Sequence, residues 1–324
     1  MVHAVRIHSY GGPEVLTYEQ IDVPAPGPGE VRLRQRAAGL NFIDCYQRSG
    51  SYKLAALPAV LGMEGAGEVI ALGEGVTDVA LGDRVAYAMS VGGYAQERNI
   101  AAARVVRVPD AIDDATAAAM MLQGMTVRYL LRETYPVTAK TVMLFHAAAG
   151  GVGLIACQWA RAIGATLIGT ASSDEKAALA KANGATHVIN VKTENFVERV
   201  REITGGKGCD VVYDGVGRDT FPGSLDCLRP KGLWATFGAA SGPLPPIETG
   251  MLSAKGSLFM TRPTLATYIA KREDLVANTD ELFGMITSGK IKIAVNRRYP
   301  LSAAADAHRD LEGRRTTGSS VFVL

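Results

Sequence analysis

The chain has 324 residues, of which 48% are apolar and 20% charged, and its formal net charge is +2. That length exceeds what one hydrophobic core usually serves, so two domains are expected. The near-neutral balance gives no basis for bulk attraction to nucleic acid or membrane surfaces, and no stretch approaches the roughly 18 consecutive apolar residues of a spanning helix.

The N-terminus, Met1-Val-His-Ala-Val-Arg-Ile-His8, alternates like a strand and carries no apolar leader, so no signal peptide is expected. Pro24-Ala-Pro-Gly-Pro-Gly29 reads as a loop, and Val31-Arg-Leu-Arg-Gln-Arg36 alternates apolar and polar residues. The segments from Gly67 to Val76 and from Gly82 to Tyr87 read as strand, turn, strand. Residues 1–123 therefore predict an antiparallel β domain. From about 124 the rhythm changes. Apolar runs at Thr141–Phe145, Thr166–Ala171, His187–Asn190, Asp210–Asp214, Gly232–Phe237 and Ser257–Met260 alternate with helical patterns near 174–183, 193–203 and 219–228. Such alternation implies an α/β, doubly wound parallel sheet over 124–264. A helical stretch follows to about Ser288. Strands at Lys290–Val295 and Ser320–Leu324 then return to the first domain, so 265–324 is grouped with it. The four cysteines (Cys45, Cys157, Cys209, Cys227) form no C-x-x-C pair and read as free thiols of a reducing cytoplasm.

Leu144-Phe-His-Ala-Ala-Ala-Gly-Gly-Val-Gly153 is the most informative segment. An apolar strand runs into a glycine turn, and Val152, Ile155, Ala156, Trp159 and Ile163 then follow at helical spacing. Strand, turn and helix together make a dinucleotide fingerprint credible. The pattern is A-x-x-G-x-x-G over Ala147, Gly150 and Gly153, with Gly151 and Val152 between. Small residues let the backbone approach a pyrophosphate, and the helix N-terminus offers it free N–H groups and partial positive charge. About twenty residues on, an NAD enzyme places a carboxylate for the ribose hydroxyls. Here Thr170-Ala-Ser-Ser173 precedes Asp174-Glu-Lys176. The acids fall in the next helix's first turn, where they complement its dipole. Ser172, Ser173 and Lys176 are suited to a 2′-phosphate, which points to NADPH; the plainer reading of Lys176 is a solvated helix residue.

The chain resembles the medium-chain dehydrogenases/reductases, and within them the zinc-free, zeta-crystallin-like NADPH:quinone oxidoreductases of bacteria. The resemblance spans essentially the whole chain. It rests on Gly39-Leu-Asn-Phe-Ile-Asp44, Tyr46, Gly62-Met-Glu-Gly-Ala-Gly67, Gly82-Asp-Arg-Val85, Gln123-Gly-Met-Thr126, the glycine turn, Tyr213-Asp-Gly-Val-Gly217 and Thr261-Arg-Pro263. It implies a GroES-like catalytic domain, a Rossmann domain and a cleft between them. Zinc-dependent relatives carry cysteine where Asn41 stands and histidine where Met63 stands, and the stretch Ala86–Tyr94 lacks the cysteines of their structural lobe. Asparagine and thioether are poor zinc ligands, so no metal is expected. An enzyme without that Lewis acid needs an acceptor already electrophilic, such as a quinone or conjugated enone.

Asn41, Tyr46, Tyr52 and Gln123 are the polar candidates beside the substrate, with Asn41 able to bond ribose or a carbonyl. Tyr46 and Tyr52 offer hydroxyls and an aromatic wall, or are surface aromatics. Thr126 and Tyr129 are expected to open a helix beside the cofactor. Phe237, Gly238 and Ala239 end the fifth strand, where a Rossmann sheet meets nicotinamide. Thr261, Arg262 and Arg314 match positions with which the family closes over its cofactor, whereas Val191 replaces a tyrosine common there. His146 reads as a packed neighbour of the turn, a proton relay being the alternative. The expected function is NADPH:quinone reduction by a homodimer paired through the sheet edge near Ser257–Met260. The rivals are an enone or enoyl-thioester reductase, and a non-enzymatic structural or RNA-binding role.

Overall fold

In the computed structural model, which describes Met1–Leu324, the chain divides into two units. The first comprises Met1–Met125, Tyr268–Thr287 and Ile293–Leu324; the second comprises Thr126–Thr267 and Ser288–Lys292.

Strand Glu30–Leu40 organises the first unit. Val31, Leu33, Gln35 and Ala37 are buried while Arg34 and Arg36 face out, the two-residue period of a half-covered sheet. The strand pairs antiparallel with Glu64–Leu72, Glu97–Ala101 and Ser319–Val323. Val31 and Leu33 pack with Val69, Val85, Tyr87 and Ile100 into one core. A small second sheet joins Thr17–Ile21, Val2–Ile7 and Ala59–Val60. The larger sheet is not wholly antiparallel: Val295–Pro300 lies parallel to Ser319–Val323, because the helix Ala304–Glu312 crosses over between them.

The second unit holds six parallel strands: β1 (Val142–Phe145), β2 (Thr166–Ala171), β3 (His187–Asn190), β4 (Cys209–Asp214), β5 (Leu228–Thr236) and β6 (Phe259–Thr261). Their order is β3-β2-β1-β4-β5-β6, which is the Rossmann order. Helices α1 (Gly151–Ile163), α2 (Asp174–Ala182) and α3 (Phe196–Ile203) connect the first strands. Leu144, Ile168, Ile189, Val212 and Trp234, one from each of the first five strands, form the core. Strands covered on both faces read as unbroken apolar runs, which is why they were legible.

Four local expectations are corrected. Thr126 and Tyr129 close a helix rather than open one: it spans Asp114–Tyr129, started by Asp113, whose carboxylate accepts the Thr116 N–H at 2.9 Å. The helix read near 219–228 reduces to Gly223–Asp226, because Pro222 holds Phe221 extended. The helical stretch after Thr264 breaks into Leu265–Tyr268 and Arg272–Thr287. Lys290–Ala294 is not a strand. The Lys292 main chain bonds the Gln158 side chain instead, N–H to Oε1 at 2.8 Å and C=O to Nε2 at 3.0 Å, and the strand begins only at Val295.

Candidate active site

The glycine turn is built as a cradle. Strand β1 ends at Phe145, and Ala147 turns the chain in the left-handed region at φ +54. Its N–H donates to the Thr170 hydroxyl at 3.1 Å, and the Ala148 N–H to the Thr170 carbonyl at 2.8 Å. Gly150 then caps α1 without a side-chain bond, and no acidic residue occupies the first turn. The first N–H groups of the helix thus lack intrahelical partners and a competing anion, which is the donor set an anionic pyrophosphate needs. A Cβ at Gly153 would lie 2.5 Å from the Ala147 oxygen, so this glycine seats helix against turn. Gly150 has more room; a Cβ there would meet only the Ala147 oxygen, at 3.3 Å.

At the end of β2, Ser173 caps α2 by accepting the Lys176 N–H at 3.3 Å. Both nearby acids are engaged. Asp174 accepts the Asn190 amide at 2.7 Å. A hydrogen bond from Ser173 holds the Glu175 carboxyl below its ordinary range. Ser172, Ser173 and Lys176 are half-buried around this first turn, and Val191 is exposed beside it.

Beneath the turn lies a buried polar hub. Asp214, at the end of β4, accepts from the Val216 and Gly217 N–H groups, the Thr220 and Ser224 hydroxyls and the Trp234 indole. Burial opposes its ionisation, but His146 and these donors outweigh it and hold the carboxyl low. Burial outweighs the Asp214 carboxylate and pushes the His146 pKa down. The ring spans Thr170 and Ser224, each at 3.1 Å, and so ties the end of β1 to β2 and to the short helix Gly223–Asp226 as a packed neighbour of the turn. Across β5, Arg262 donates to the carbonyls of Thr236 (2.7 Å) and Gly238 (3.1 Å). That contact joins Thr261 and Arg262 to the Phe237–Ala239 turn.

In the first unit Asn41 and Gln123 meet, Gln123 Nε2 donating to Asn41 Oδ1 at 3.1 Å. Asn41 in turn donates to Glu64 Oε1 at 2.6 Å. Asn41 precedes the helix Phe42–Ser49, and its N–H is accepted by Asp44 at 2.8 Å. Asp44 also accepts the Tyr94 hydroxyl at 2.8 Å; burial outweighs both bonds and pushes its pKa up to about 7. Tyr46 and Tyr52 sit with ring centroids 5.2 Å apart, Tyr46 half-buried and Tyr52 exposed. Met63 sulfur accepts the Gln47 amide at 3.1 Å. Thr126 and Tyr129 are buried. Arg314 is exposed, with φ +56. Glu64 escaped the sequence reading although it lies inside the quoted Gly62–Gly67 motif. Burial pushes its pKa up to about 8 against hydrogen bonds from Asn41 and Leu122. Only the fold reveals that this carboxyl is fully enclosed.

Residues 27–110 match the alcohol dehydrogenase GroES-like domain and residues 151–277 the zinc-binding dehydrogenase domain. The chain is 53% identical to a quinone oxidoreductase of Pseudomonas aeruginosa over the full length of both. The chain belongs to the quinone oxidoreductase family. The crystal structure of the Escherichia coli family member complexed with NADPH superposes with a TM-score of 0.98 at 48% identity, over 99% of this chain and 100% of that one. The chain is also 46% identical to a Burkholderia 2-haloacrylate reductase, over 100% of this chain and 99% of that protein. The family of the second domain is named for zinc. In this chain, however, Asn41 is held by Glu64 and Gln123, Met63 is bonded to Gln47, and no group of three His, Cys, Asp or Glu is placed to hold a metal. No helix is long and apolar enough to cross a membrane.

Proposed function

We propose that this protein is an NADPH-dependent quinone oxidoreductase that reduces its acceptor without zinc. End-to-end similarity to quinone oxidoreductases, one of them complexed with NADPH, carries this reading. The residues fit the cofactor. Gly150, Gly151, Val152 and Gly153 offer the pyrophosphate an open helix N-terminus. Ser172, Ser173 and Lys176 take the 2′-phosphate, the Ser173 hydroxyl turning to it from Glu175, while Asp174 stays bonded to Asn190. Thr126, Tyr129, Phe237, Gly238, Ala239, Thr261, Arg262, Arg314 and Asn41 complete the set. When bound, NADPH supplies the reducing equivalents.

The chain's own work is orientation and exclusion of water. Tyr46 and Tyr52 wall a planar ring, and Asn41, supported by Gln123, bonds an acceptor oxygen. Neutral hydrogen bonds contribute about 0.5–1.5 kcal/mol each. That is too little to activate a saturated ketone, whereas a quinone gains aromaticity on reduction, and solvent supplies its protons. The likeness to a 2-haloacrylate reductase favours a second reading, reduction of a conjugated double bond, in which Tyr52 would deliver a proton to carbon. NADPH oxidation measured across quinones, 2-haloacrylates, enals and enoyl thioesters tests the choice. The fastest turnover is expected with a small quinone; far faster turnover of a conjugated acid or thioester overturns the reading. The four buried, unpaired thiols suit the cytoplasm, and the exposed Phe259 on edge strand β6 suits a homodimer.

A further inference from the structure

Glu64 opens the strand Glu64–Leu72 and is completely buried. Its two oxygens are used separately: Oε1 accepts from Asn41 Nδ2 at 2.6 Å, and Oε2 accepts the main-chain N–H of Leu122 at 2.7 Å. Gly39 clears the space, since a Cβ there would strike Glu64 Oε1 and the Ala118 oxygen. From Asn41 the chain of bonds continues. Gln123 Nε2 donates to Asn41 Oδ1 at 3.1 Å, and the Ser319 hydroxyl donates to Gln123 Oε1 at 2.7 Å. Asn41, Glu64, Gln123 and Ser319 are buried, and Leu122 is half-buried.

Two amides and a hydroxyl can run in either direction, because each carries both donor and acceptor. Once Glu64 is ionised, above about pH 8, its end cannot. An ionised carboxylate only accepts, and the Leu122 N–H only donates. Asn41 must therefore turn its NH₂ toward Glu64, which turns its oxygen toward Gln123; Gln123 and Ser319 follow. One N–H of Asn41 is then spent on Glu64, and the second remains. We propose that Glu64 is a positioning residue which, by setting the direction of the Ser319–Gln123–Asn41 chain, makes Asn41 a hydrogen-bond donor to the acceptor oxygen of the substrate. This rests on the reading that Asn41 meets the substrate. A donor is what the reaction needs there, because negative charge builds on a quinone oxygen as the ring accepts electrons.

Glu64→Gln is the sharp test, because it keeps shape and hydrogen-bond count but reverses direction. The Leu122 N–H still requires an oxygen, so the new amide presents its NH₂ to Asn41. Asn41 and Gln123 flip, Ser319 becomes the acceptor, and an Asn41 lone pair replaces the free N–H. Above pH 8, where the wild-type carboxyl is ionised, quinone kcat is expected to fall about 10- to 100-fold, the loss of one good donor to developing charge. A second readout is the pH profile. Asp44, Tyr87 (with Arg98 over its ring) and Tyr94 are the titratable and charged groups coupled to Glu64. Burial keeps both tyrosines neutral, and Asp44 titrates near 7. Neutral Glu64 lets the chain run either way and ionised Glu64 does not, so wild-type kcat should rise with pH through about 8, and Glu64→Gln should lack this limb. An Asn41→Ala variant separates the premises. If it keeps full quinone turnover, Asn41 does not meet the substrate and the proposal falls with that reading. If it is slow while Glu64→Gln keeps wild-type kcat, or loses rate but retains the pH limb, the positioning role alone is refuted.

Discussion

Cofactor choice comes down to the side chains at the end of one strand. Asp174 is bonded to Asn190 and Glu175 to Ser173, and Lys176 is the cation of the first turn of α2. A charge-assisted hydrogen bond contributes about 1.5–3 kcal/mol. Lys176→Ala is therefore expected to raise the NADPH dissociation constant roughly 10- to 100-fold and to leave NADH nearly unchanged. Fluorescence titration with both cofactors checks this; equal losses would return Lys176 to the solvated surface. At the same scale lies the residue that escaped the sequence reading. Glu64 and Asp44 look like ordinary acids in the sequence, and only burial turns them into carboxyls that ionise near neutral pH.

The glycine turn acts as an element, and its glycines divide the labour. A Cβ at Gly153 would press on the Ala147 oxygen and the Ala148 backbone, groups that cannot swing aside. Gly153→Val should therefore displace the α1 N-terminus and abolish NADPH binding measurable by calorimetry, while the first unit stays folded. Gly150→Ala meets a single oxygen at 3.3 Å, so the turn itself should survive. Any loss of NADPH affinity in that folded variant reports close approach of the pyrophosphate. Retained micromolar affinity in Gly153→Val would make the turn dispensable for binding. The strained Ala147, where a fingerprint usually has glycine, is held by Thr170 from the neighbouring strand.

For the whole molecule, the buried ionisable groups set how stability varies with pH. The folded pKa values of Asp44 and Glu64 are raised from 3.8 and 4.5 to about 7 and 8. Their contribution is fully present below the unfolded values and is lost as pH rises through 7 and 8. His308, bonded to Arg48, is pushed by burial from 6.5 down to about 3. Its contribution is present above 6.5 and declines as pH falls. Between pH 6.5 and 8 only the carboxyls act, so Tm should fall across that window. Asp44→Asn should flatten the decline; a Tm that rises there would contradict the assignment. Assembly is the second property at this scale. Strand β6 forms one edge of its sheet, with Phe259 62% exposed and Met260 37% exposed, an arrangement that invites pairing with another edge. Light scattering at micromolar concentration is expected to give twice the chain mass, and Phe259→Lys to shift it toward one. A monomeric wild type would refute the pairing.

The second unit was legible because its information is local. A strand buried on both faces is a continuous apolar run, a dinucleotide turn must be small and lie between strand and helix, and a helix cap needs a side chain a few residues away. From such signals the parallel sheet, the A-x-x-G-x-x-G turn and the Ser172–Lys176 cluster could be read directly. Segments governed by distant partners were not. Lys290–Ala294 has a strand's alternation, yet Gln158 takes its main-chain bonds. Thr126 and Tyr129 lie at the far end of a helix whose start is marked by a local signal, the Asp113 cap on Thr116. The polarity of Asn41 depends on Glu64 and the Leu122 N–H and passes on to Gln123 and Ser319, and these groups are brought together from around positions 41, 64, 122 and 319 only by the fold. Residue types are given by the sequence; burial, hydrogen-bond direction and ionisation depend on which residues enclose each group, and that is a property of the tertiary structure alone.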